Sequence, residues 1–398
     1  MISISNLVFR MKKNAVGLAT IAILSSMVLV TLVGAASIYA GKKDYLVSAA
    51  PHDYSVTGTN VDLTNTQKVM SDFLAQSGNQ VNRKVEVNYL YFGIKEQEKN
   101  KLTIFSENER KVLPKSIFLV FSQATYKQLT GKNLNLASNQ VGLFTKNKTL
   151  KGQKSLSVNG QTYQIQDALN DFIKGKVSNI FTIIVSDYNY LVVPDMGDFQ
   201  ESIEGTATTQ ATYIGVNVKD PSHDAKKNSD LLDQMTDKVT QQLAGQTTGV
   251  PESYLTANSR YDTEGMLNGF VGGTFFIGIF LSIIFMLGTV LVIYYKQISE
   301  GYEDRERFVI LQKIGLDDQQ VKKTIRKQVL TVFFLPLIFA ITHLAFAYHM
   351  ISLIVRIIGV FNPSLMLVVT IIVCGVFFLA YILVFVLTSR SYRRIVSM

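Results

Sequence analysis

Side chains able to carry chemistry are few in this sequence. It has four histidines, His52, His223, His343 and His349, and a single cysteine, Cys374. An intrachain disulfide and a CxxC metal or redox site are therefore excluded. No HExxH pair is present to grip zinc, and no GxSxG elbow to expose a nucleophilic serine. Asp230, Asp233 and Asp237 have the spacing that sets carboxylates on one helical face around a cation. Lys226, Lys227 and Lys238 accompany them, so a solvated helix face accounts for the pattern better. Lys132, in Thr-Gly-Lys-Asn, and Lys174, in Ile-Lys-Gly-Lys, lack the GxxxxGKS/T spacing that cradles nucleotide phosphates. Neither catalysis nor nucleotide binding, and no metal or cofactor site, is expected of the chain itself.

The elements that would position any site follow from charge spacing. Of 398 residues 47% are apolar and only 17% charged, which rules out disorder and indicates that part of the length does not fold in water. Asn14 to Gly41, Gly265 to Tyr295, Gln328 to Val355 and Ile357 to Ser389 contain no Asp, Glu, Lys or Arg. A bilayer core of about 30 Å needs roughly 20 apolar residues of helix, and each run holds such a stretch. Four transmembrane helices are expected, over 15–40, 266–295, 329–353 and 363–388. The first has the basic flank and following small residues of a signal peptide, but its apolar run is far longer than a signal h-region of about 7 to 15 residues.

Charge also sets the expected topology. Lys42 to Glu264 holds 24 basic and 24 acidic residues, so the net charge of +9 lies elsewhere. Arg10, Lys12 and Lys13 precede helix one, eight basic residues against six acidic lie from Lys296 to Lys327, and Arg390, Arg393 and Arg394 close the chain. Short basic loops stay in the cytoplasm. Termini 1–14 and 389–398 and the loop 296–328 are therefore expected inside, and segment 41–265 and the short loop 354–362 outside. Topology explains the basic pI, and with no basic stripe interleaved with aromatics nucleic-acid binding is not expected.

The outer segment mixes periods. Ser116 to Phe121, Phe181 to Val193 (broken at Ser186-Asp187) and Ala211 to Val218 read as strands. Leu231, Leu232, Met235, Val239 and Leu243 form a helical stripe closed by Gly245. A large mixed α/β extracytoplasmic domain between helices one and two is the expected fold. Ser55 to Gly78 and Glu96 to Lys115 are more polar and read as surface insertions. In helix three, His343 and His349 are six residues apart, about 600° around a helix, hence on different faces. Structural histidines at a helix contact or interface are preferred to a proton path or a metal pair. Pro336 predicts a kink, and Cys374 a buried small hydrophobe.

The loop between helices two and three is the most informative stretch. Glu303 to Ile314 reads as an amphipathic helix with Phe308, Leu311 and Ile314 along an apolar edge and Gly315 as its stop. Asp317 and Gln320 then have the spacing of an N-cap and its partner, opening a helix that runs into helix three. A stiff helix joining two spans can transmit force; the alternative is an interfacial helix resting on membrane lipid.

At this loop Glu306-Arg-Phe-Val-Ile-Leu-Gln-Lys-Ile-Gly-Leu resembles the coupling-helix segment of FtsX-like and MacB-type ABC transporter permeases. Tyr294-Tyr-Lys-Gln-Ile-Ser-Glu-Gly-Tyr-Glu-Asp-Arg and Met11-Lys-Lys-Asn-Ala-Val-Gly-Leu-Ala narrow the resemblance to BceB-type permeases of bacitracin and peptide-antibiotic resistance. It covers the four helices; the outer segment matches mainly in size and placement. The resemblance implies a non-catalytic permease subunit of a bacterial plasma membrane, with ATP and Mg bound by a separate cytoplasmic ABC ATPase dimer. Glu303, Arg305, Glu306, Phe308, Leu311 and Gly315 would contact that ATPase. It implies a peptide antibiotic or lipid-linked cell-wall precursor as ligand, handled by export or target release, and a sensor histidine kinase as a further partner. BceB-type permeases typically have ten helices and this sequence resembles their C-terminal part, so a second permease chain or copy is expected. The alternative within the resemblance is an FtsX-like regulator that transports nothing and controls an extracytoplasmic cell-wall enzyme.

Overall fold

A computed structural model describes residues 15–109, 114–178, 185, 187–244, 253–313, 318–357 and 362–396. The side chains of residues 244, 300, 304, 306–313, 318–332, 357 and 389–396 lie outside that description. The chain divides into a helical unit, Met1–Lys42 with Asn268–Met398, and an α/β unit, Lys43–Leu267.

The helical unit is built from α1 (Ala15–Ala49), α6 (Arg260–Lys313), α7 (Asp318–Ile357) and α8 (Pro363–Val396), the first and second of which end or begin in the α/β unit. Each contains a window long and apolar enough to cross a membrane. Large apolar side chains face outward, among them Phe276 (68% exposed), Phe346 (82%) and Leu379 (68%), which suits helices whose surroundings are apolar. Two differences from the sequence expectations stand out. The helix expected from Glu303 to Ile314 in the loop 296–328 is, as far as Lys313, the unbroken end of the 54-residue α6, and Ile314 lies outside the described residues. Gly301 within α6 costs helix stability of about 1 kcal/mol without ending the helix, because helix formers flank it. Cys374 is half-buried rather than buried. Pro336 lies inside α7.

The α/β unit contains β1 (Tyr54–Thr59), α2 (Leu63–Ser77), β2 (Val81–Glu98), β3 (Lys101–Ile104), β4 (Ser116–Ser122), α3 (Gln123–Thr130), β5 (Gln140–Thr145), β6 (Ser155–Val158), β7 (Gln161–Ala168), β8 (Asp187–Val193), α4 (Met196–Ser202), β9 (Thr208–Val218), α5 (Ala225–Ala244) and β10 (Tyr254–Ser259). The strands pair in the order β10-β1-β9-β2-β3-β6-β7-β5-β8-β4, and a β2–β4 pairing closes seven of them into a circuit. β4 with β8, β5 with β7 and β3 with β6 are parallel.

Side-chain alternation divides three cores between the two faces. Leu90, Phe92, Leu102, Phe118, Val141, Leu156, Tyr163 and Leu191 point into the circuit, one or more from each of its seven strands. The opposite face, with Val87, Leu119, Phe121, Tyr190 and Tyr213, is covered by Tyr126 and Leu129 of α3 and by Phe172 and Ile173. A third core joins Tyr54, Val56, Ile214 and Val216 to Val69, Met70 and Phe73 of α2 and Leu232 of α5. Asn189, fully buried, is satisfied by Ser116 Oγ at 3.1 Å and by the Thr145 hydroxyl at 2.6 Å.

Ser55 to Gly78 is therefore no surface insertion: β1 pairs on both edges, with β10 and β9, and α2 packs a buried face on it. Within Glu96 to Lys115, Leu102 and Ile104 are likewise buried in β3. Asp62 caps the start of α2, accepting from the Thr64 amide, and Gly78 ends it at φ 65°, a conformation glycine adopts without steric cost. The strand expected from Phe181 is described from Asp187 on; residues 181–184 and Ser186 lie outside the described residues, as does Gly245 beyond α5.

Candidate functional site

The arrangement most able to do work is the pairing of α1 with α6. The two run antiparallel, and their contacts recur along both. A Cβ added at Gly17 would meet the Lys296 side chain and one added at Gly288 would stand 3.5 Å from Leu24, and Thr31 Oγ1 hydrogen-bonds Ser282 Oγ at 3.0 Å. Gly278 lies against Ala35, the rings of Tyr39 and Phe275 stack at 4.5 Å, and Lys42 donates to Asn268. Positions 17, 24 and 31 on one helix and 268, 275 and 282 on the other repeat every seven residues, the spacing of a left-handed helix pair. Small residues at the seam permit close approach: a Cβ placed on Gly278 would overlap that of Ala35. Sequence reading missed this seam. The seven-residue spacing was there to see, but nothing in a single charge-free run says which face meets a partner.

α7 and α8 are joined by aromatics. Phe333 lies 4.7 Å from Tyr381 and 4.5 Å from Phe385, and Tyr381 donates to the Phe333 carbonyl at 2.9 Å. Ser26 of α1 meets His343 Nδ1 of α7 at 3.2 Å, so His343 sits at a helix contact. His349 and His343 are not brought together as a pair by any described contact.

In the α/β unit the ends of α1 and α6 are fastened by hydrogen bonds. The Ala49 carbonyl accepts from Ser178 Oγ at 2.7 Å and Asn258 Nδ2 at 2.9 Å. Arg260 Nη1 donates to the Ala50 carbonyl at 3.2 Å, and its backbone amide to that of Asp53 at 2.9 Å. Strand β10 passes into α6 without a linker, and its last residue, Ser259, pairs with Tyr54, the first of β1. No slack residue separates strand pair from helix on that side.

His52 sits beside this junction, buried, with Nδ1 2.8 Å from Tyr213 Oη. Burial, then the Arg83 and Arg260 charges, push its pKa down to about 4, so it is neutral at ordinary pH and can share a hydrogen bond with the Tyr213 hydroxyl. Gly215 is required there, since a Cβ would stand 2.6 Å from the His52 ring and 2.8 Å from Tyr213 Oη. His223 is 73% exposed, beside Asp224. Asp230, Asp233 and Asp237 are exposed on α5, with Asp230 paired to Lys226 at 3.1 Å. Among the described residues no His, Cys, Asp and Glu group could hold a metal ion.

Of the residues expected to meet an ATPase, Glu303 and Arg305 are exposed near the end of α6. Glu306, Phe308 and Leu311 occupy its last turns, with side chains outside the described residues, and Gly315 lies outside them altogether.

Comparison with known proteins places this geometry in a family context. Residues 279–395 match the model of the FtsX-like permease C-terminal domain. The chain is 22% identical over 352 residues to the ABC transporter permease protein YxdM of Bacillus subtilis, covering 86% of this chain and 50% of YxdM. It is 30% identical over 138 residues to the bacitracin export permease protein BceB of the same organism, covering 35% of this chain and 19% of BceB. An uncharacterized B. subtilis ABC transporter permease, YvcS, is 28% identical over 121 residues, 30% of this chain and 18% of YvcS. The chain thus spans half the length of YxdM and less of the others.

Proposed function

We propose that this chain, which carries an FtsX-like permease domain over residues 279–395 and is homologous to Bacillus ABC-transporter permeases, is a non-catalytic permease subunit that couples a separate ATPase to its α/β unit. The observation that carries the proposal is the α1–α6 pair, packed along its length and fastened at one end into the α/β unit. Its other end runs unbroken into the segment resembling a coupling helix. A helix pair that continues from the membrane-type unit into the α/β unit would carry force between them. Transmission requires two states with different contacts, and the ATPase's nucleotide cycle would supply them.

Four long apolar helices support a bacterial membrane location. The basic loops favour both termini inside and the α/β unit outside. Glu303, Arg305, Glu306, Phe308, Leu311 and Gly315 would form the contact with a cytoplasmic ABC ATPase dimer, which would bind the ATP and Mg. BceB is named for bacitracin export, and by that likeness the chain acts in peptide-antibiotic resistance, by export or by releasing a lipid-linked target. A sensor histidine kinase and a second permease chain or copy complete the proposed assembly. The FtsX-like match also accommodates a regulator of a cell-wall enzyme that transports nothing.

Tagged purification from the native membrane in mild detergent, with mass spectrometry, tests the proposal. A Walker-motif ATPase should be recovered, and lost when Phe308→Asp and Leu311→Asp are combined. Recovery of no ATPase, or unchanged recovery with the variant, contradicts it. A co-purifying cell-wall hydrolase in place of antibiotic or lipid-linked precursor selects the regulator.

A further inference from the structure

The geometry points to a peptide-binding cleft in the α/β unit, in which an extended peptide segment adds as a strand to the open edge of β2. A cavity of about 910 Å³ opens between the start of α2, α3 and α4, over the middle of β2 and β9. That volume is in the range of small-ligand sites. The sheet face beneath it breaks its apolar alternation. On β2, Leu90 and Phe92 belong to the core of the circuit, and on β9, Ile214 and Val216 belong to the core under α2. Between them the same face presents Glu86 and Asn88 on β2 and Gln210 and Thr212 on β9, with Asn88 opposite Thr212. These groups bond locally, Thr212 Oγ1 to Asn88 Oδ1 and Gln210 Nε2 to Gln200 Oε1, each at 2.9 Å, and among the described residues no apolar side chain covers them as in the flanking cores.

The backbone is available as well. β9 pairs with one edge of β2 from Val81 to Phe92, whereas β4 pairs with the other edge only from Leu90. Among the described residues no strand occupies that second edge from Val81 to Tyr89. Its direction is fixed by one contact: Gln128 Nε2 donates to the Glu86 carbonyl at 3.0 Å, so that carbonyl points away from β9. A residue's N–H and C=O leave a strand on the same side, and residues two apart repeat it, so Lys84 and Asn88 also aim their backbone groups at the open edge. The Gln128 amide already occupies one such group in the way that a peptide N–H would. Lys84 to Asn88 spans about 14 Å at roughly 3.4 Å per residue, room for a strand of roughly five residues. Exposed edges of this kind are templates for strand addition.

Side chains add to the match. The lining is rich in amides, and a bound peptide would exchange its own groups for the bonds that now join Asn88 Oδ1 to Thr212, Gln210 Nε2 to Gln200 Oε1 and Gln128 Nε2 to the Glu86 carbonyl. Burial would raise the Glu86 carboxyl, but hydrogen bonds from Lys84 and Gln67 outweigh it and hold it below the usual range. Among the described residues the lining holds the carboxylates of Asp62 and Glu86 and no basic side chain, Glu86 pairing with Lys84 beside it at 3.0 Å, so the cleft suits a neutral or cationic peptide. A saccharide would want an open aromatic face, and the one ring in the lining, Tyr89, is 6% exposed.

The inference rests on the proposed role of the α/β unit as the ligand-receiving part, and its test is independent of any ATPase. Full-length chain in lipid nanodiscs is panned against a displayed random heptapeptide library, with empty discs subtracted, and affinities of enriched peptides are measured. Asn88→Pro removes an edge N–H at an exposed position and should weaken binding about two- to tenfold. Gln128→Ala, also exposed, frees the Glu86 carbonyl and should strengthen binding by a similar factor, an effect that misfolding could not produce. Failure to enrich any peptide, or affinities indifferent to both variants, overturns the inference. So does binding of maltohexaose or chitohexaose, lost in Asn88→Pro, in place of peptides. Peptide capture by a chain that recovers no ATPase would uphold the cleft and remove the coupling role; the converse would do the opposite.

Discussion

The α1–α6 seam can be tested at one atom. A Cβ added at Gly278 falls within the van der Waals envelope of Ala35, and the helices must part by on the order of 1 Å to reach ordinary contact at 3.4 Å. Gly273, five residues earlier on the same helix, has open space around the same position. Gly→Ala in a helix interior gains about 1 kcal/mol of propensity at either site, so the difference between the two variants isolates the clash. Overpacking costs about 1–3 kcal/mol. Parting the seam also strains the Thr31–Ser282 hydrogen bond one turn away, worth about 0.6 kcal/mol between membrane helices. Gly278→Ala should therefore be about 2–3 kcal/mol less stable than Gly273→Ala, measured by denaturant unfolding of the full chain in one detergent. Adding Ala35→Gly to Gly278→Ala should restore much of the loss, with a coupling of about 0.5–3 kcal/mol in the double-mutant cycle. Equal stability of the two alanine variants, or no rescue by Ala35→Gly, would refute the close-packed seam.

Other consequences follow from single contacts. The pKa of His52, lowered to about 4 by burial and two arginines, means that the unfolded chain binds the proton first, so stability is full above about 6.5 and falls as pH drops toward 4. The loss is at most about 3 kcal/mol, and His52→Gln should flatten that slope in urea unfolding followed between pH 4 and 7. Gly215→Ala should destabilise the α/β unit by about 1–3 kcal/mol, seen as faster limited proteolysis within Lys43–Leu267. Tyr381→Phe removes the donor to the Phe333 carbonyl and should cost about 1 kcal/mol while retaining the ring packing, read from the unfolding midpoint.

The four helices were legible because charge-free runs longer than a bilayer core admit few other structures, and β4, β9 and α5 were legible from apolar period. What escaped the sequence depended on partners. Tyr54-Ser-Val-Thr-Gly-Thr looks like a polar turn region, yet Ser55 and Thr59 are buried because neighbouring strands pair with both edges of β1. α2 reads as polar because only Thr66, Val69, Met70 and Phe73 are buried, one narrow face of fifteen residues. The end of α6 reads as a helix of its own, from Glu303 to Ile314 within a loop starting at Lys296, because charges begin there, whereas charge ends an apolar span and not a helix. Phe308 and Leu311 could be singled out by helical spacing and by resemblance, but contact with another chain is not encoded in spacing.

On the proposed function, nucleotide state in a partner ATPase would reach the α/β unit through α1 and α6. Hydrogen exchange on the complex recovered from the native membrane, with ADP or with a non-hydrolysable ATP analogue, measures this directly. Protection should change at residues 43–50 and 254–264, where both helices are fastened, and should not change when Phe308→Asp and Leu311→Asp abolish ATPase capture. Identical protection in the two nucleotide states would contradict it.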